Sequence, residues 1–578
     1  MGDGVMGMEK RGPVAPKDPT AKRPGFYIMR DKNINGAPQE DGRGICFIYE
    51  SDGRLQSSAK LVGNVEDEQI LKLMETVQGL RSLVHSIGVS VKASDGREPV
   101  RFAFQMYGKT DPYVSGTTLS MDVPSDGMEY VYELDLADWS GDDNVPGQIR
   151  FEFEKAGTFA EVSVIFYLRD GFQAPPQSEQ NPVDFSSENY GNMIKKSLIQ
   201  MGNNERLKRA MEKARSGEDV TIAFIGGSIT QGAGAVPINT ACYAYLTFEG
   251  FCRQMGRGTD ENIHYVKAGV GGTPSELGML RYEKDVLSDG QVTPDIVIVE
   301  FAVNDEGDET KGECYDSLVR KIYNGPGQPA VILLFAVFAD DWNLEERLCK
   351  VGYSYELPMV STRRSVVEQF YLTKDQGNVI SKNQFFYDLF HPSNAGHRIM
   401  ADGILHLFSL ADREPSDREK DITQIKPPIG GDFEKVILID RAVKRADITI
   451  CPGDFTDTDT DLQYVERNLD TKGSPEFADN WMYRGTAGRQ GTSFYMEVMA
   501  RALLIIFKDS ASVSVGEASV YVDGEKKLFL DPHIVGWTHC NPAIVFRQEK
   551  AQKHCVEIRI DEKDTDKDFT ILGFGIVE

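Results

Sequence analysis

Four short blocks of this sequence hold residue types suited to acyl transfer. In "TIAFIGGSITQGAG" (221–234), Ser228 follows an apolar run and is set among glycines. A serine at a sharp turn after a buried strand can attack a carbonyl carbon while its own N–H holds the developing oxyanion, but near neutral pH it needs a base. "YDLFHPSNAGH" offers one, His391, with Asp388 three residues earlier. At that spacing the carboxylate accepts from one ring nitrogen and the second ring nitrogen faces the serine. Two further blocks offer oxyanion donors: "KAGVGGTPS", where Gly272 supplies an N–H and Gly271 is the alternative, and "FAVND", where Asn304 supplies a side-chain amide. Ser228, His391 and Asp388 are the expected triad, and Ser228, Gly272 and Asn304 the expected oxyanion hole.

The glycines around Ser228 fit no phosphate cradle. A Walker loop requires lysine after its last glycine, and Ala233 follows Gly232. A dinucleotide fingerprint fails because Pro237 stands where its closing glycine belongs, and the hydrolase elbow G-x-S-x-G fails at Thr230. Taken alone, Ser228 also reads as a turn serine capping a helix; the four blocks in order outweigh that reading. His397 and His406, in the helical stretch after His391, read as core residues.

The elements that must position these blocks form three segments. From 26 to 172, "VRFAFQMYG", "MEYVYELDL", "QIRFEFE" and "EVSVIFYL" alternate apolar and polar residues, which predicts a β-sandwich of jelly-roll type with one helical interruption near Glu66–Leu80. The proline-bearing "QAPPQSEQNP" ends it. From 183 to 411, apolar strands alternate with amphipathic helices, which predicts a parallel sheet flanked by helices. Every candidate block lies at the carboxyl end of a strand or near the last helix, where open α/β sheets form their crevice. After a charged linker, 433–578 returns to strands, with an Asp-Gly hairpin at 523–524, and predicts a second β-sandwich. Residues 1–25 are expected to be a flexible N-terminus.

The chain has 578 residues with 63 basic and 89 acidic side chains, net −26, which argues against nucleic acid and anionic membrane surfaces as partners. Eight cysteines without a C-x-x-C pair suggest neither a zinc site nor a disulfide framework. No secretory h-region and no long apolar run are visible, so a cytoplasmic location is expected. The acidic "NDEGDE" (304–309) reads as a solvated loop at the site rim. The aspartate-rich run from Asp454 to Asp461 resembles a calcium loop only loosely, since Leu462 stands where glycine is required. Trp481, Trp537, His533 and His539 are candidates for contacting sugar faces, provided the third segment leans over the crevice; for the tryptophans, core packing is the competing reading.

The blocks "GGSITQG", "GVGGT", "AVND" and "DLFHP", in this order within an α/β segment, resemble those of the SGNH hydrolases, the GDSL-like esterase superfamily. The resemblance covers Met193 to Ala411. It implies a three-layer catalytic domain and gives Ser228, Gly272, Asn304, Asp388 and His391 the roles set out above. Two positions depart from the usual pattern: Gly227 replaces the acid of "GDS", and Ala302 replaces a glycine. Both departures, together with flanking β-sandwiches, resemble the family's bacterial multidomain carbohydrate-esterase branch. The resemblance therefore implies a serine O-acetylesterase without metal or organic cofactor, acting on acetylated oligosaccharides from plant cell walls such as mannan or xylan fragments; a homo-oligomer is compatible with the sequence. A lipase, lysophospholipase or thioesterase on the same machinery is the first alternative. A carbohydrate-binding protein with an inactive hydrolase domain is the second.

Overall fold

The strands of the central segment are apolar at nearly every position because both faces of their sheet are covered. The structure is a computed structural model describing residues 23–578 apart from 40, 50–53, 95, 97, 178–179, 257–260 and 486–491. The expected flexible N-terminus, except its last three residues, lies outside the described residues. The chain divides into two compact units, Met1–Glu179 and Gln180–Glu578.

The first unit contains two antiparallel sheets. One is ordered Gly25–Asn35, Phe159–Leu168, Val84–Ala93, Glu129–Glu133; the other runs from Ala37–Pro38 through Gly44–Tyr49, Asp143–Phe153 and Val100–Gly108 to Thr118–Val123. Phe104 of one sheet stacks on Phe166 of the other at 6.0 Å between ring centres, so the alternating apolar residues meet between the sheets. The single helical interruption expected near Glu66–Leu80 is instead a series of three short helices, Arg54–Leu61, Glu68–Leu73 and Val77–Leu83. Asp67 and Thr76 cap the second and third through their side chains, and each cap restarts the helix.

In the second unit, strands β1 (Leu198–Gln200), β2 (Val220–Gly226), β3 (Ile263–Gly269), β4 (Ile296–Glu300), β5 (Ala330–Phe335) and β6 (Met359–Ser361) form a sheet in the order β1-β6-β5-β4-β2-β3. Every pair is parallel except β1 with β6. Alternate residues feed two cores. Val220, Ile222 and Phe224 of β2 join helices α1 (Glu205–Ser216), α3 (Tyr243–Met255) and α7 (Asn394–Arg413), whereas Ala223 and Ile225 join α4 (Ser275–Asp285), α5 (Glu313–Tyr323) and α6 (Glu345–Tyr355). A short helix, α2 (Ser228–Gln231), is a single turn at the end of β2.

The C-terminal strands β7 (Ile437–Ile439), β8 (Phe494–Asp509), β9 (Ala518–Val522), β10 (Glu525–Leu530), β11 (His539–Ile560) and β12 (Phe569–Val577) lie in one sheet in the order β7-β12-β8-β11-β9-β10, with antiparallel neighbours. Asp523 and Gly524, both at positive φ, turn the β9–β10 hairpin as the Asp-Gly signal predicts. This segment does not separate from the α/β segment. Ala502, Leu504, Ile506, Leu572 and Val577 share one core with Leu280 of α4 and Leu318 of α5. The opposite face of β8, with Leu503, Ile505 and Phe507, faces a second core that also takes Trp481.

Candidate active site

Each expected block lies at a carboxyl end of the parallel sheet. Strand β2 delivers Ser228 as the first residue of α2, preceded by Gly227. A Cβ at Gly227 would stand 2.3 Å from Asn304 Oδ1, so the close approach of the Asn304 amide demands glycine there and accounts for "GGS". The loop after β3 brings Gly271 over the nucleophile, its Cβ position 3.9 Å from Ser228 Cβ, and Gly272 adopts φ 70°. The loop after β4 brings Asn304. Among the described residues, the N–H groups of Ser228 and Gly272 have no hydrogen-bond acceptor.

His391 Nε2 lies 3.0 Å from Ser228 Oγ, and its Nδ1 lies 2.8 Å from Asp388 Oδ2. Asp388 also accepts the N–H groups of Phe390 and His391 at 2.8 Å each. Burial alone would raise the Asp388 carboxyl, but the His391 charge, the ring hydrogen bond and the two N–H donors outweigh it and hold the group below its ordinary value. The carboxylate therefore stays ionised and keeps the proton of His391 on Nδ1, which leaves Nε2 free to accept from the serine hydroxyl.

Several positioning groups escape the sequence reading. Buried Arg281 of α4 donates to the carbonyls of Gly226 (2.8 Å) and Ala268 (2.7 Å), clamping the ends of the two strands that carry Ser228 and the glycine loop. Buried Lys267 donates to the Gln231 carbonyl at 2.7 Å and to Asn239, pinning the end of α2; burial pushes its ammonium below the usual lysine range. Asp305 accepts from the N–H (2.7 Å) and hydroxyl (2.8 Å) of Ser275, so the Asn304 loop is tied to the start of α4 just after Gly272. These groups bond backbone away from their own position and carry no local motif; only Lys267, a charge within the strand "IHYVKAG", hints at its role.

The expected sugar-contact residues divide. The exposed Trp537 and the buried His539 both reach Gly272: their Cζ2 and Nε2 atoms stand 3.1 and 3.0 Å from its Cβ position, and their rings are 4.6 Å apart. Burial pushes the His539 ring down, against the opposing pull of the Gly272 and Gly271 carbonyls, and favours the neutral form. Trp481 follows the core-packing reading: it is buried against Phe494 and Phe574, because its strand supplies the core of the C-terminal sheet. His533 is engaged by Asp531 and the Ser512 carbonyl.

The acidic runs also differ from expectation. "NDEGDE" is not simply a solvated loop, since Asp305 and Asp308 are buried, and burial raises Asp305 to about 7. Among the described residues, Glu276, Asp308 and Cys314 place donor atoms within 4.8 Å of one another. Burial first, then the neighbouring Asp308, Glu309 and Asp305, raise Glu276 to about 9. In the aspartate-rich run the Lys508 ammonium lies 3.0 Å from both Asp459 and Asp461, occupying the place a cation would take. All eight cysteines are free. Among the described residues, no helix is long and apolar enough to cross a membrane.

No curated protein matches the chain at a significant level. Residues 224–399 match the family described as GDSL-like Lipase/Acylhydrolase. Among solved structures, the chain is similar to a two-domain esterase (CEX) active on acetylated mannans, solved alone and co-crystallized with mannopentaose. The identity is 26% with a TM-score of 0.55, over 67% of this chain and 98% of that chain in the mannopentaose crystal. The crystal without mannopentaose gives the same identity and TM-score over 67% of this chain and 99% of that one. Residues 224–399 therefore form a GDSL-like lipase/acylhydrolase segment, and it carries the serine, asparagine and histidine blocks in the order seen in the sequence.

Proposed function

We propose that this chain is a serine esterase that removes O-acetyl groups from carbohydrate, with acetylated oligosaccharides such as mannan or xylan fragments as substrates. The observation that carries the reading is the continuous relay from Asp388 through both nitrogens of His391 to Ser228 Oγ. Ser228 attacks the acetyl carbonyl carbon as its proton passes to His391 Nε2, and Asp388 stabilises the imidazolium. The oxyanion is held by the N–H groups of Ser228 and Gly272 and the Asn304 amide. His391 then protonates the departing sugar oxygen, leaving acetyl-Ser228, and water activated by the same ring releases acetate. The exposed face of Trp537 beside Gly272 suits the apolar face of a sugar ring, and similarity to an esterase active on acetylated mannans supports the substrate class.

The test is acetate release from acetylated manno-, xylo- and gluco-oligosaccharides, with the wild type beside Ser228→Ala. Release by the wild type alone is the expected result, and the preferred backbone names the substrate. Hydrolysis of p-nitrophenyl acetate with no release from any sugar would leave the relay standing and move the substrate to lipid or thioesters. Turnover by the serine variant would refute the mechanism.

A further inference from the structure

The oxyanion donor of Gly272 belongs to a peptide unit with glycine on both sides, Gly271 and Gly272. Local sterics do little to hold such a unit at one angle, because neither neighbour has a side chain. Its carbonyl is the Gly271 oxygen, and in a planar trans peptide that oxygen and the Gly272 N–H point in opposite directions. Whatever grips the carbonyl therefore aims the N–H.

The group that grips it comes from the C-terminal segment. Gln463 Nε2 donates to the Gly271 carbonyl at 2.8 Å, across 192 residues of sequence. The amide cannot be turned over, because Gln463 Oε1 accepts the buried Cys540 N–H at 3.1 Å; a flipped amide would set oxygen against oxygen and N–H against N–H. The residue is 7% exposed, so water competes poorly for the bond. Its loop is fastened to β3, where Asn468 Oδ1 accepts the Lys267 N–H at 2.8 Å, and to its own hairpin, where the Gln463 carbonyl accepts from Glu476 N–H.

We infer that Gln463 is a positioning residue of the oxyanion hole: the C-terminal segment holds the Gly271–Gly272 peptide so that the Gly272 N–H faces the charge developing over Ser228. The inference rests on the esterase reading and deepens it. The hydrogen bond fixes the plane before substrate arrives and polarises the peptide, so the donor is stronger and needs no reorganisation during reaction. The hydrolase half-site would then be completed by a residue outside the matched family segment, 224–399.

The experiment compares Gln463→Met, which keeps the length and loses both bonds, with Gln463→Glu, which keeps an acceptor for Cys540 and sets an acceptor against the Gly271 carbonyl. Both are assayed on p-nitrophenyl acetate, with sites counted by exhaustive phosphonylation of Ser228 so that kcat refers to folded enzyme. The expected result is a fall in kcat of about tenfold or more with KM within about twofold, and a matching loss of affinity for a boronic acid that forms a tetrahedral adduct on Ser228. A kcat within about twofold of wild type in both variants, or a rise in KM alone, overturns the inference. Ser228→Ala in the same assay keeps the two readings apart: activity there would defeat the esterase mechanism itself, whereas an inactive serine variant beside fully active Gln463 variants would defeat only the role of Gln463.

Discussion

His391 and His397 sit six residues apart, yet one faces a hydroxyl at the carboxyl end of the sheet and the other is sealed in the core. His391 has a carboxylate behind Nδ1 and the Ser228 hydroxyl before Nε2, with part of its side chain open to solvent. In His397 the pattern is reversed. Its Nε2 donates to the Ala233 carbonyl at 3.0 Å and its Nδ1 accepts the Tyr243 N–H at 3.1 Å, so a second proton would meet a donor. Full burial first, then the neighbouring His391 and Lys267 charges, push this ring down to about 4 against the opposing pull of the Ala233 carbonyl. Burial and hydrogen bonding alone therefore do not make a histidine a base; an anion on one nitrogen and a free acceptor on the other do.

The contrast can be broken in order of effect. His391→Ala should lower kcat on p-nitrophenyl acetate by about 10⁴-fold or more while the far-ultraviolet circular dichroism stays unchanged. Asp388→Asn should cost about 10³-fold or more, since the amide favours the wrong tautomer; full activity would show that the carboxylate does not orient the ring. The third effect is on stability. The folded His397 ring binds a proton less readily than an unfolded one, so between pH 6.5 and about 4 the unfolded chain takes up more protons. Its contribution, about 3 kcal/mol, is intact above pH 6.5 and is lost as pH falls toward 4, which urea titrations at pH 7 and pH 5 would read as a falling midpoint. Last, His397→Gln should cost about 1–3 kcal/mol at pH 7, flatten that acid limb and leave kcat within a few-fold of wild type. A large loss of kcat would assign His397 to the chemistry.

The contrast also explains which parts of the molecule were legible in sequence. Ser228, Gly272, Asn304, Asp388 and His391 each sit in a short block whose neighbours announce a strand end or turn, so spacing and order sufficed. Arg281, Lys267 and Gln463 act on backbone carbonyls 55, 36 and 192 residues away, and nothing in their own surroundings betrays those partners. The strands of the C-terminal segment were readable, but its shared core was not anticipated. The signal was present in "ALLIIF", where Ala502 to Phe507 are apolar at successive positions, as expected of a strand covered on both faces. Trp481 was ambiguous because an aromatic residue near turns fits either a core or a sugar platform, and only tertiary packing decides between them.

The core shared by α4, α5 and the C-terminal sheet has a consequence for dissecting the protein. Residues 180–432 are not a portable module: ending the chain there would uncover Leu280, Leu318 and their neighbours and remove the loop that latches onto β3. Such a truncation would yield an aggregating fragment instead of a smaller esterase, and swapping C-terminal segments between relatives would require grafting the helix faces beneath them as well.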